Sequence, residues 1–415
     1  MGLSGAKFPW QSGSDGTEET PKWLYNDRSG RWVKDNSHMQ LHAGLAVAFN
    51  AWQYYQATND KAWLLRRGAE LVIDVARFFS SRAERSQDTG RYHLRGVVGP
   101  DEYHTGYPGS ADPGLDDNAY TNVMAAWACL RAAELVSIVQ GNELGGLMDR
   151  LGITDEEVAG WEQVGRALFV PFHSDGIISQ FAGYEQLEEL DWERYREAYD
   201  SIERLDLILE AEGDETNRYK LAKQADVLML PYLLGQEGLI SLLSELGYAF
   251  TAGQLNRTIE YYLARTAHGS TLSRVAHASV LAAVDADRAW DSFREALDAD
   301  LDDTQHGTTR AGIHLGAMAG TIDAIQRSFA GLRFSGNTIV FAPNLPTGLR
   351  AVAFAVRYRG HHLKIELKDG RMHIASAPGD AGPITVHVNG KDAPLPAGQA
   401  RSFRLPAQAQ RSAAS

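Results

Sequence analysis

The sequence predicts a mainly helical protein, built of antiparallel helix pairs of the kind that close into a ring, followed by a small antiparallel β module. Three observations predict it. From His38 onward apolar residues recur at helical spacing, as in Leu41, Leu45, Ala48, Phe49, Trp52 and Tyr55. Short turns and longer loops alternate between such segments with no sequence repeat, which excludes a TPR-like solenoid. At Gly331 the texture changes to short alternating runs divided by turn signals.

Residues 1–37 read as irregular, with Trp and polar groups interleaved among turn residues. A first helix follows from His38. After a break at Thr58-Asn59-Asp60, with Asp60 a candidate N-cap, a second carries Trp63, Leu64, Leu71, Val72, Val75, Phe78 and Phe79. A third runs from about Asn118 to Val136, and others are expected near 155–170, 217–234, 236–248, 254–267, 271–284, 286–299 and 311–328. The run Val227 to Leu234 is apolar on nearly every side and predicts an internal helix. Beyond 331, about six short strands separated by turns such as Lys368-Asp369-Gly370 and Asn389-Gly390 predict a small sandwich. The expected division is 1–330 helical, 331–405 β and 406–415 a disordered tail.

A net charge of −13 argues against a nucleic-acid or anionic-membrane partner. No apolar run approaches the ~20 residues of a membrane span, and the N-terminus has no signal-peptide core. The single cysteine, Cys129, reads as a small core residue. These features predict a cytoplasmic protein. Nine Trp and sixteen Tyr suit either sugar-stacking platforms or helix interfaces.

Several loops concentrate chemistry. Gly99-Pro100 breaks helix and strand and is followed by Asp101, Glu102, Tyr103 and His104; an ordinary solvated turn has the same composition. Lys223, Gln224 and Asp226 open an apolar helix, where each is costly unless paired or bound to ligand; a helix N-terminal turn with a solvated Lys reads equally well. His268, Gly269, Ser270 and Thr271 lie between helices and form either an anion pocket or a plain N-cap. His306-Gly307-Thr308-Thr309 and Gly312 to Gly316, around His314, precede another helix. Phe8-Pro9-Trp10-Gln11 and Trp32 read either as a stacking surface for a sugar ring or simply as a cap on the helical ring. Nucleotide-binding glycine motifs, a Gly-x-Ser-x-Gly elbow and zinc patterns do not occur. His38 and His42 stand four apart and could share a helix face as a metal pair, but no third ligand is evident, so no metal is expected.

Six ordered stretches resemble glycoside hydrolase family 65. They are Phe-Pro-Trp-Gln-Ser-Gly-Ser-Asp-Gly, Gly-Val-Val-Gly-Pro-Asp-Glu-Tyr-His, Asp-Asn-Ala-Tyr-Thr-Asn-Val-Met-Ala, Lys-Gln-Ala-Asp-Val, His-Gly-Ser-Thr-Leu-Ser and Gly-Ile-His-Leu-Gly-Ala-Met-Ala-Gly-Thr, between residue 6 and about 333. The resemblance implies an (α/α)6 barrel and a small β-sandwich. It implies Glu102 as general acid and Lys223 with Gln224 as the sugar-holding pair, and it places Trp10, Asp101, Tyr103 and His104 around the substrate. It assigns His268, Gly269, Ser270, Thr271 and His314 to a phosphate site. The family's N-terminal β-sandwich, linker helix and first barrel helices do not precede the Phe-Pro-Trp stretch. The expectation is therefore a truncated product whose ring lacks its first helix pair. An insertion, Gly106 to Gly114, lengthens the loop after the acid and is expected to reshape the acceptor site.

These implications predict inverting phosphorolysis of an α-glucosidic disaccharide, trehalose-, maltose- or kojibiose-like, to β-glucose 1-phosphate. Phosphate is the co-substrate and no cofactor is needed. An inverting hydrolase of trehalase type is the first alternative, and an inactive carbohydrate-binding fragment the second. A homodimer is the assembly weighed.

Overall fold

The computed structural model describes residues 2–139, 141–224, 226–304 and 308–406. The tail expected at 406–415, apart from Pro406, and the His306-Gly307 pair lie outside the described residues. Contacts divide the chain into two compact units, Met1–Ala51 with Ala62–Ser273 and Trp52–Lys61 with Arg274–Ser415.

The first unit opens with a hairpin, β1 (Trp23–Asn26) and β2 (Arg31–Lys34), where an irregular segment was expected. It is fastened from afar: Asn26 Nδ2 donates to Leu207 O at 2.8 Å and to Glu210 Oε2 at 2.6 Å. Helix α1 (His42–Thr58) begins here, and its second half belongs to the other unit. A π turn, Leu64–Gly68, leads into α2 (Ala69–Arg82). The short strands β3 (Glu84–Arg85) and β4 (Tyr92–His93) precede α3 (Ala119–Ile138), which is followed by α4 (Asn142–Leu151), α5 (Asp155–Ala167), α6 (Trp192–Ala198) and α7 (Leu205–Glu212). Next come α8 (Met229–Leu234), α9 (Gln236–Glu245), α10 (Ala252–Leu263) and α11 (Thr271–Ala282), of which only the first turn belongs to this unit.

The helix buried on almost every side is α3, not the 227–234 segment. Its alanines combine high helix propensity with small bulk, so α2 and α5 pack closely on it. Asn118 caps it, accepting from the Thr121 N–H at 2.9 Å. Cys129 is buried within it, and burial pushes its thiol up to about 12.

The expected helix at 217–234 shrinks to α8. The backbone explains why: Ala222 N–H donates to Arg265 O at 2.8 Å and Lys223 N–H to Asp101 Oδ1 at 2.6 Å, so these donors leave the helical ladder. Helices α4, α6 and α7 were not expected; α6 and α7 are shorter than the window in which helical periodicity shows.

In the second unit, α12 (Ala286–Leu297), α13 (Leu315–Asp323) and a π turn (Ala324–Phe329) precede eight strands among the described residues, two more than expected. β5 (Arg333–Ser335), β6 (Thr338–Phe341), β10 (Ile384–Val388) and β11 (Lys391–Leu395) form one sheet, in the order β11-β10-β6-β5. β7 (Ala351–Tyr358), β8 (His361–Lys368), β9 (Arg371–Ser376) and β12 (Ala400–Arg404) form the other, β12-β9-β8-β7. Ile339, Phe341 and Val386 from the first share one core with Ile365, Leu367 and Ile374 from the second, which makes the sandwich. Pairing is antiparallel except β6 with β10, which is parallel. Asp369-Gly370 and Asn389-Gly390 turn with both residues at positive φ, as such hairpins demand. Among the described residues no helix is long and apolar enough to cross a membrane.

Gly331 joins helix to sheet at φ +67°, and a Cβ there would press into the backbone of Ala342. Gly331→Ala is expected to cost roughly 2–4 kcal/mol, from left-handed strain plus overpacking. Urea or thermal unfolding checks it; an unchanged midpoint would contradict this junction.

Candidate active site

The acid loop is built on close approach. Val97 and Leu115 exchange backbone bonds of 2.9 and 2.8 Å, which fixes the chain entering it. Gly99 passes so near that a Cβ would fall 2.6 Å from Asp226 Oδ2 and meet Asn118 as well. Only glycine fits there, and Pro100 then directs the chain outward.

Asp101 lies buried beneath the loop. Its Oδ1 accepts from Lys223 N–H at 2.6 Å; its Oδ2 accepts from the His104 ring at 2.8 Å and from the His104 N–H at 3.3 Å. The other ring nitrogen of His104 meets Tyr219 O at 2.9 Å. Tyr103 is buried too, its hydroxyl donating to Glu203 O at 2.7 Å and accepting from Leu205 N–H at 3.1 Å. Desolvation raises its phenol well above the ordinary value. Asp101, Tyr103 and His104, expected around the substrate, thus spend these polar groups on holding the loop.

Glu102 is different. It sits at φ +69°, the left-handed region rarely taken by a residue with a side chain. Its Oε2 pairs with Lys223 Nζ at 2.5 Å, and the carboxylate lines a cavity of about 240 Å³. Gln224 Nε2 donates to Pro100 O at 2.5 Å, so the predicted Lys-Gln pair and the acid loop meet.

The His268 loop abuts the same place. Gly269 N–H donates to Lys223 O at 2.8 Å, and a Cβ on Gly269 would collide with Glu203 O and with Lys223 Cγ. His268 is also left-handed, at φ +59°, its Nδ1 2.7 Å from Ser273 Oγ. Ser270 and Thr271 open α11. His314 belongs to the second unit, where Asp300 holds it through Nδ1 at 2.6 Å and through its N–H at 2.8 Å. The bond from His314 is the first of the causes lowering the Asp300 carboxyl. Trp10 stands apart from these bonds: its N–H donates to Glu18 at 2.9 Å and its ring lies 4.8 Å from that of His42. His38 and His42 do not share a helix face, because His38 sits in a separate 3-10 turn. Burial pushes the His42 imidazole down to about 4. Among the described residues no cluster of three or more His, Cys, Asp or Glu could hold a metal ion.

Sequence reasoning missed Asn118 as a site support, although an Asn before a helical run signals a cap. Asn118 Nδ2 donates to Asp226 Oδ2 at 3.0 Å. Glu203, Thr216 and Tyr219 hold the acid loop through the sequence-distant bonds of Tyr103 and His104, and no local signal marks them.

The family model described as "Glycosyl hydrolase family 65 central catalytic domain" matches residues 1–323, and that of the family's C-terminal domain matches 332–395. The chain belongs to glycosyl hydrolase family 65. An uncharacterised glycosyl hydrolase of Mycobacterium tuberculosis is 49% identical over 94% of the chain, which spans 29% of that relative. A trehalose 6-phosphate phosphorylase of Lactococcus lactis is 38% identical over 91% of the chain and 47% of the relative. A kojibiose phosphorylase of Caldanaerobacter subterraneus is 30% identical over 95% of the chain and 48% of the relative. The chain therefore spans less than half the length of these curated relatives. A solved structure from the human microbiome, described as a candidate kojibiose phosphorylase, superposes with TM-score 0.77 at 21% identity, covering 97% of this chain and 54% of that one. That likeness bears on the fold, a helical toroid followed by a sandwich.

Asp226 is wholly buried, and desolvation, with Asp101 nearby, pushes its carboxyl up to about 8. A raised carboxyl contributes stability that is fully present below pH 3.8 and is lost as pH rises through 8. Asp226→Asn, a stand-in for the neutral acid, is expected to gain on the native chain by on the order of 1 kcal/mol per pH unit between those limits. The gain levels off above pH 8. Melting curves across that range check it; a pH-independent difference would contradict a neutral Asp226.

Proposed function

We propose that this chain carries the catalytic centre of an inverting α-glucoside phosphorylase. The observation that carries the reading is the meeting of Glu102, Lys223 and the Gly269 loop around one cavity-lining carboxyl. Glu102, in its acid form, gives its proton to the glycosidic oxygen as that oxygen leaves. Phosphate, held by His268 to Thr271, attacks the anomeric carbon from the opposite face, and the product is β-glucose 1-phosphate. Lys223 turns from Glu102 to the sugar hydroxyls on binding, with Gln224 beside it, and Trp10 borders the site. No cofactor enters this scheme. The relatives named for phosphorylases support it.

Phosphorolysis is favoured over hydrolysis by residues 266–274, which hold hydroxyls, N–H groups and a His but no carboxylate to activate water. A cytoplasmic setting fits the single, buried thiol of Cys129.

Incubating the protein with trehalose, maltose, kojibiose or nigerose is expected to release glucose 1-phosphate only with phosphate present. Glu102→Gln should lower turnover roughly a hundred- to ten-thousandfold while leaving sugar binding. Glucose release without phosphate would make the enzyme a hydrolase, and no turnover in either form would favour a binding remnant.

A further inference from the structure

One end of the sandwich holds a cleft of about 1030 Å³ that the proposed reaction does not use. It opens where the β8–β9 turn of one sheet meets the β10–β11 turn of the other, beside the segment that joins β6 to β7. Every residue lining it belongs to the second unit. Its floor is the end of the sandwich core, where Leu367 and Val388 are buried. The joining segment is pinned to α12: Thr347 donates from its N–H and its hydroxyl to Asp287 Oδ1, at 2.7 and 2.8 Å. The volume suits a small molecule, for which sites run to roughly 300–1,000 Å³.

Four cations line the cleft, Arg350, Lys368, Lys391 and Arg404, against one carboxylate, Asp369. All four are exposed, and none forms an ion pair or a side-chain hydrogen bond among the described residues. Their arrangement costs stability. Lys368 stands directly opposite Arg371, and Arg371 opposite Arg404, on the outer face of adjacent strands. Like charges so placed are destabilising. The chain holds 53 Asp and Glu against 40 Lys and Arg, so carboxylates that could relieve the row are not scarce in it. A row of cations kept without partners in an acidic protein points to an anion supplied from outside.

We propose that this cleft is an anion site for a small molecule carrying two or more linked phosphate groups, built from none of the residues of the acid loop or the His268 loop. The spacing of the charges favours that class. Adjacent strands lie about 4.8 Å apart, so the cations of the row crowd together. Linked phosphates share a bridging oxygen and crowd their charges in the same way. Carboxylates on one face of an extended peptide recur only at every second residue, about 6.6 Å apart. Arg350 and Arg404 add planar forks that match phosphate oxygens. No aromatic side chain is among the described residues lining the cleft, so a base or a sugar finds no ring to stack on, and charge carries the recognition.

Titration calorimetry on the whole chain at low salt tests it, with tripolyphosphate as the probe beside orthophosphate and hexaglutamate. Tripolyphosphate is expected to bind at least about tenfold more tightly than either, and Lys368→Gln combined with Arg404→Gln to weaken it at least about tenfold. Both side chains are exposed and the change removes like charges, so this variant should melt no lower than the native chain. Tripolyphosphate should raise the melting temperature of the native chain and leave that of the variant where it was. Should the double variant fail to fold, Lys391→Gln, beside a turn, is expected to weaken binding about threefold. Unchanged binding in these variants would overturn the inference. So would an equal loss on removing two exposed cations elsewhere, Lys22→Gln with Lys61→Gln, which would reduce the effect to net charge. A loss in His268→Ala alone would place the probe in the proposed phosphate loop and overturn the second site. Tighter binding of hexaglutamate would make the cleft a peptide surface, and no binding of any probe would leave no site; either result refutes the proposal.

Discussion

The site depends on the carboxylate of Asp101. Two positions distant in sequence converge on it, Lys223 directly and Tyr219 through the ring of His104. A buried carboxylate tolerates such a place only when its oxygens are filled, and here a backbone N–H and an imidazole fill them. The same bonds set the acid's position. Lys223 N–H is drawn to Asp101, and its ammonium group is thereby delivered to Glu102, one residue further on.

Beneath lies a second carboxyl that solves the same problem in the opposite way. Asp226 is close to Asp101, and burial first, with that repulsion, pushes its carboxyl up to about 8. Asn118 ties it to the start of α3, a helix buried on nearly all sides. Gly99 lies against the bonded pair of Asn118 and Asp226 with no room for a methyl group. The acid loop therefore inherits its placement from the helical core through glycine, asparagine and a neutral acid. A mechanism that needs sub-ångström placement of a proton donor requires support of this kind.

What the sequence disclosed, and what it hid, follows from the range of the interactions. Glu102, Lys223 and His268 stood out because Gly-Pro, Lys-Gln and His-Gly-Ser are local irregularities, costly without a reason. The β1–β2 hairpin stayed hidden, because it is held by bonds across 181 residues or more, from Ser29 and Asn26 to Glu210. The stretch at 217–234 misled for a related reason. Leu221, Ala222, Val227 and Leu228 are buried as helix residues would be, yet the N–H groups of Ala222 and Lys223 are claimed by Arg265 and Asp101. Apolar spacing reports burial, and helical hydrogen bonding has to be inferred from it.

Strain marks the two halves of the proposed chemistry. Glu102 and His268 both sit in the left-handed region, at a cost of roughly 1–3 kcal/mol each, and neither is a glycine, for which it would be free. Such a conformation persists where neighbours over-determine it. At Glu102 they are the Gln224 bond to Pro100, the Asp101 pair and the ion pair with Lys223. At His268 they are Ser273 and the adjoining Gly269 bond to Lys223 O. Lys223 belongs to both sets, bonding the acid with its side chain and the His268 loop with its carbonyl. The residue that holds the sugar in the proposed reaction is thus the physical link between proton donor and phosphate loop, so a displacement of its backbone would misplace both reactants at once.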